Sequence, residues 1–216
     1  RELSRKSMAS RRSRPGKKQG QGAQHSSSSR REGSSQSTLT NSTALALCPP
    51  TSLWIQIDKI RKGYDKAYGK WPPHMNLSFP FVHSKVFSSR KSELEEKLET
   101  LPPFTITLSR FCTLDTKKKK DGRRFICLDV IIEPDGVYNE LRKRLAPLLP
   151  NCRLTEQPHV TVGQAKASEC EALIKQWEKG WEPVSWKVNA MQVLEIKKGK
   201  YQIVDELKLQ PTGAGS

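Results

Sequence analysis

A chain of 216 residues, 35% of them hydrophobic, accommodates one domain of about 170 residues whose core needs no disulfide or metal, plus a tail. The formal net charge of +16 favours polyanionic partners, and no apolar run nears the roughly 20 residues of a membrane-spanning helix, so a soluble protein is expected. The five cysteines, Cys48, Cys112, Cys127, Cys152 and Cys170, form no C-x-x-C, which points to free thiols in a reducing compartment, intracellular and either nuclear or cytoplasmic.

Residues 1–42 are dominated by Ser, Gly, Gln, Arg and Lys, too polar to offset the entropy of ordering, so a disordered tail is expected. Over residues 1–43, ten Lys and Arg face Glu2 and Glu32, a formal +8 and half of the total. The run at 11–18, RRSRPGKK, reads as a nuclear-localisation or RNA-contacting patch, a pattern that short basic runs also meet by chance. Residues 43–209 form the expected domain, and 210–216 read as a second disordered end.

Within the domain, 43–50 reads as a strand stopped by two prolines. Thr51 or Ser52 caps a helix to about Lys70, with Leu53, Ile57, Ile60 and Tyr64 on one face. A strand at 74–82 precedes a helix at 92–101, where Ser92 and Glu95 have capping-box spacing. Strands 104–115 and 123–132 flank an Asp-Gly turn, and a helix follows at 136–149. The strand at 159–165 leads to a helix at 168–180 with Ser168 and Glu171 as the box, and a final hairpin turns at Lys198-Gly199-Lys200. The order is α+β, and helix, histidine strand, helix and hairpin occur twice.

Each repeat carries one histidine in the same frame: Pro73-His74-Met75-Asn76-Leu77-Ser78 and Pro158-His159-Val160-Thr161-Val162-Gly163. Strand alternation puts His74, Asn76 and Ser78 on one face, and His159, Thr161 and Gly163 on another, with Val160 and Val162 turned to the core. A lone histidine on a strand is usually structural; two in a matched frame point to chemistry. Two imidazoles flanking a phosphate supply a base for the attacking oxygen and an acid for the leaving one. Asn76 and Thr161 offer donors for the non-bridging oxygens.

The two frames resemble the paired H-x-T/S-x signatures of the 2H phosphoesterase superfamily, which includes RNA 2′,3′-cyclic phosphodiesterases, the so-called 2′-5′ RNA ligases and related domains of RNA-processing proteins. The resemblance covers about residues 43–209. It implies two pseudo-symmetric lobes of antiparallel sheet, helices outside and a central cleft. It also implies a metal-independent phosphodiesterase acting on RNA or oligonucleotide ends, at a 2′,3′-cyclic phosphate or a 2′-5′ linkage, without a cofactor. His74 and His159 carry over as catalytic, and Thr161 as phosphate-binding. Asn76 stands where the family has Thr or Ser and keeps an N–H donor; Ser78, expected on the same face, is a substitute.

A non-catalytic RNA-binding or scaffold domain of an RNA-processing protein is the alternative. Zinc binding lacks H-x-x-x-H and ligand-spaced cysteines, and no G-x-x-x-x-G-K-[ST] supports ATP-driven ligation. Lys117, Lys118, Lys119, Lys120, Arg123 and Arg124 form a basic hairpin tip, a candidate for tracking an RNA backbone beside Lys200 and Tyr201 of the second hairpin. Tyr64, Trp71 and Phe81 are near the first frame; each could stack a base and each fits core packing. A monomer is expected.

Overall fold

The computed structural model describes residues 39–114 and 122–209; Lys117 to Lys120 and the two expected disordered ends, apart from residues 39–42, lie outside them. The described elements are β1 (Leu39–Thr40), β2 (Thr43–Leu47), α1 (Thr51–Tyr64), β3 (Met75–Ser78), β4 (Phe81–Val82), α2 (Ser84–Leu98), β5 (Phe104–Leu114), β6 (Arg123–Glu133), α3 (Val137–Leu145), β7 (His159–Lys166), α4 (Ala167–Glu178), β8 (Val184–Val188), β9 (Ala190–Lys197) and β10 (Lys200–Lys208). The fold is α+β. No helix among the described residues is long and apolar enough to cross a membrane.

Eight strands form one antiparallel sheet in the order β10-β9-β2-β3-β7-β6-β5-β8. Its two halves, β10-β9-β2-β3 and β7-β6-β5-β8, meet at the two histidine strands. The halves exchange hairpins: β5-β6, which follows the first frame, pairs with β7, while β9-β10 from the chain's end pairs with β2. Only Asn189 separates β8 from β9, although five strands lie between them in the sheet. The sheet must therefore curl until its ends approach each other.

Local signals and packing disagree at several boundaries. Leu39 and Thr40, assigned to the tail from sequence, pair with Val82 and Phe81 of β4. Helix α1 stops at Tyr64, not Lys70: Asp65 is extended, and its carboxylate accepts from the Ala67 N–H at 2.9 Å, a local turn that competes with the helix. The strand expected at 74–82 breaks at Pro80, which has no N–H for a ladder. Helix α2 starts at Ser84, capped by the His83 ring accepting from the Lys85 N–H, so Ser92 and Glu95 fall inside it. The earlier start is what buries Phe87 together with Leu94 and Leu98. Helix α4 likewise starts one residue early, with Glu169 accepting from the Lys166 N–H, and Glu171 pairs with Lys175 instead.

The main core joins both halves: Leu45 and Leu47 of β2, Met75 and Leu77 of β3, and Val160 and Val162 of β7 pack with Ile57, Phe87, Leu141 and Trp177 of the four helices. At about 1.5–3 kcal/mol per fully buried large apolar side chain, this burial dominates the favourable side of folding. The opposite face of β2 carries only Ala44 and Ala46, covered by Leu194, Cys48, Trp71 and Tyr201. The cysteines among the described residues are all free thiols.

Candidate active site

The histidine strands meet at a single register pair, Met75 opposite Val160. In an antiparallel ladder the flanking residues then oppose each other crosswise, His74 to Thr161 and Asn76 to His159. Met75 and Val160 are buried in the core, whereas these four polar residues are partly exposed on the other face.

Both rings are held alike. A carbonyl can only accept, so the 2.8 Å contact from His74 Nδ1 to the Pro72 carbonyl is an Nδ1–H donation, and His159 Nδ1 donates to the Gln157 carbonyl at 2.8 Å. Each contact reaches back two residues to the turn before the strand. The tautomer this selects leaves the Nε2 lone pair of each ring free. His74 also stacks on Trp71 at 4.7 Å and 18°, and Trp71 stacks on Tyr201. Burial pushes the His74 imidazole down to about 4; the Pro72 carbonyl and Asp65 oppose this, and the Arg61 and His159 charges reinforce it.

The two-fold likeness extends to a defect. Ala46 faces Asn76 but Leu45 faces Ser78, so Leu77 is an extra residue, a bulge. On β7, Cys127 faces Thr161 but Ile126 faces Gly163, so Val162 is the matching bulge. Each bulge lies three residues past its histidine and inverts the alternation beyond it. Ser78 is consequently wholly buried, its hydroxyl donating to the Pro80 carbonyl at 3.2 Å, and it does not join the site. Gly163 turns toward the helices, where a Cβ would lie 2.9 Å from Tyr64 Cβ and 3.3 Å from Trp177.

Asn76 has its Oδ1 buried without a partner, which leaves the amide nitrogen as its available end. Thr161 Oγ1 lies 3.6 Å from the Cys127 thiol, which burial pushes up to about 12, so that thiol stays protonated at neutral pH. Asp129 sits directly across the β6–β7 ladder from His159, a carboxylate that the sequence reading missed.

Phe79 and Arg153 were missed as well. They line a cavity of ≈ 640 Å³ with Leu114, Thr155, Glu156, Gln157 and His159, within the range of small-molecule pockets. Strict alternation would turn Phe79 to the face of Met75 and Leu77; the bulge at Leu77 reverses its phase, and Phe79 is 40% exposed.

The other candidates lie elsewhere. Arg123 opposes Lys166, six residues along β6 from the Asp129–His159 pair, or about 20 Å at ~3.3 Å per residue. Arg124 follows it on the same strand. Lys200 lines a separate cavity of ≈ 410 Å³ with Trp54, Tyr68 and Trp71, while Tyr201 supports Trp71 and donates its hydroxyl to the Asn41 carbonyl. Tyr64 packs edge-on to Trp177, and Phe81 is buried against Phe87. Among the described residues no group of three or more His, Cys, Asp or Glu could hold a metal ion.

A curled antiparallel sheet with two matched histidine strands at its midline defines the class. Residues 49–200 match the 2′-5′ RNA ligase superfamily, and the chain belongs to it. Among solved structures it is similar to TT0787 of Thermus thermophilus, at 15% identity over 79% of this chain and 99% of that one, with a TM-score of 0.49. It is similar to apo LigT of E. coli at 18% identity, covering 81% of this chain and 100% of that one, TM-score 0.48. Usb1 of Kluyveromyces marxianus follows at 13% identity, 78% and 98% coverage and a TM-score of 0.44. No curated protein matches the chain.

Proposed function

We propose that the protein is a phosphodiesterase acting on RNA or oligonucleotide ends, at a 2′,3′-cyclic phosphate or a 2′-5′ linkage, through acid–base catalysis by His74 and His159. The observation that carries this reading is the matched clamping of the two rings, each with Nδ1–H on a carbonyl two residues back and Nε2 free. Such a pair serves a reaction that takes one proton from an attacking oxygen and gives one to a leaving oxygen at the same phosphorus.

The roles divide by environment. His74, held neutral by burial, is the base: its Nε2 accepts the proton of the attacking water. His159, the other ring at the seam, is then the acid that protonates the departing oxygen; Asp129, across the ladder from it, is paired with Arg110 at 3.2 Å. Asn76 Nδ2 and the Thr161 hydroxyl donate to the non-bridging oxygens, where negative charge must be held in the transition state. The reaction needs no metal in this scheme.

The test uses the full chain with a 2′,3′-cyclic nucleotide and a 2′-5′-linked oligoadenylate. His74→Asn and His159→Asn are each expected to lower kcat by about 10²–10⁴-fold with the fold intact, and EDTA to leave the rate unchanged. Undiminished turnover in either single variant would sink the proposal.

A further inference from the structure

Arg61 and Asp65 are the only charged residues buried among the described residues, and Gln164 is buried with them. An isolated buried ion pair contributes little net stability, because desolvation offsets most of the attraction. Its bonding partners show what it holds instead.

Arg61 uses all three of its nitrogens. Nε donates to Asp65 Oδ2, Nη1 to Asp58 Oδ1 and Nη2 to the Trp71 carbonyl, each at 2.9 Å. The Trp71 indole is the ring stacked on His74. The second oxygen of Asp65 accepts from the Gln164 amide at 3.2 Å, and Gln164 lies on β7, five residues past His159. One bonded path therefore runs from the ring against His74 to the strand that carries His159. It spans the thinnest seam of the sheet, where β3 and β7 share one register pair.

We infer that Arg61 and Asp65 are positioning residues, a clasp that fixes His74 and His159 relative to each other across the β3–β7 seam. Its kinetic consequence rests on the acid–base reading; its geometric consequence does not. The charged groups that bear on His74 are Arg61, Asp65 and His159. Removing the Arg61 cation takes away a charge that opposes the imidazolium and leaves the Asp65 carboxylate unneutralised, which favours the imidazolium.

The experiment records histidine ring resonances of the isotope-labelled full chain against pH. Its four histidines are assignable by single substitution. Arg61→Met is expected to raise the His74 midpoint by about one unit or more. Arg61→Lys keeps the charge but not the three-way fork, so the midpoint moves less while the His74 resonances broaden. Gln164→Met leaves the ion pair intact and cuts only the link to β7. It is expected to shift the His159 resonances and to lower kcat on a 2′,3′-cyclic nucleotide by roughly tenfold or more with little change in KM.

An unmoved His74 midpoint in folded Arg61→Met, or unmoved His159 resonances in Gln164→Met, would overturn the clasp. If Arg61→Met does not fold, the Gln164→Met spectra decide. If the wild-type chain turns over no phosphodiester, the acid–base reading fails and the resonances still judge the clasp. A role in stability alone would lower the unfolding temperature of every variant and leave both rings unchanged.

Discussion

Met75 of β3 lies opposite Val160 of β7, and this one pairing sets His74 against Thr161 and Asn76 against His159. Each imidazole is thus matched with the hydrogen-bonding side chain of the other strand rather than its own. In the proposed reaction a phosphate over the seam would meet a ring and a donor from each half, supplied by two short frames 85 residues apart.

The donors should be separable from the rings. Asn76→Ala and Thr161→Val are each expected to lower kcat on a 2′,3′-cyclic nucleotide by about 10²-fold, the cost of removing one oxyanion donor. Asn76→Thr restores a donor at the same strand position and is expected to stay within about tenfold of wild type. Steady-state kinetics on the three variants measures this. A fully active Asn76→Ala would remove Asn76 from the site.

Folding itself should report the state of His74. The ring sits at about 4 in the fold, against an ordinary value of 6.5. Between those values the unfolded chain binds a proton that the folded one refuses, so stability falls as pH drops through this window and is flat for this group on either side. The loss by pH 4 is about 3 kcal/mol at ~1.36 kcal/mol per unit. Urea unfolding at pH 7 and pH 4 is expected to show His74→Gln losing less than wild type by that amount. Equal losses would mean that the ring is not buried as a neutral base.

Some of this architecture is legible in the residues and some is not, for a physical reason. His74 and Asn76, like His159 and Thr161, are visible because a period of two over four residues is a local property. The bulges at Leu77 and Val162 are relations between a strand and its partners β2 and β6, so no window along β3 or β7 reveals them. Ser78, Gly163 and Phe79 lie beyond them, and their facing is inverted accordingly. The i, i+4 spacing of Arg61 and Asp65 is that of an ordinary surface pair on a helix and carries no sign of burial. Their burial depends on Gln164, 99 residues past Asp65. The start of α2 follows the same logic: Ser92 and Glu95 form a sound local box, but burying Phe87 outweighs it.

Phe79 should govern substrate affinity without supporting the fold. It is 40% exposed, lines the cavity that His159 also lines, and lies edge-on to Trp71 at 5.4 Å. Stacking of a base on an aromatic ring contributes about 1–3 kcal/mol. Phe79→Ala is expected to raise KM for an oligonucleotide ending in a 2′,3′-cyclic phosphate by about tenfold or more, with kcat and the unfolding temperature little changed. Unaltered KM would place the base elsewhere; a lowered unfolding temperature would make Phe79 a core residue.

Gly163 distinguishes the bulged strand from a regular one. In a regular strand its hydrogen would share the face of His159 and Thr161, and a methyl there would touch the substrate side alone. In the bulged strand a Cβ meets Tyr64 Cβ at 2.9 Å and Trp177 at 3.3 Å. The first of these belongs to the base of a side chain and cannot swing away, so α1 would have to move off β7. Overpacking of this kind costs about 1–3 kcal/mol. Gly163→Ala is therefore expected to lower the unfolding free energy by that amount, measured in urea. It should also lower kcat, because α1 carries Arg61 and leads directly into Asp65. Glu178→Ala, at an exposed position ending α4, is the control and should leave both quantities unchanged. Wild-type stability with altered substrate affinity in Gly163→Ala would instead restore Gly163 to the face of the histidines.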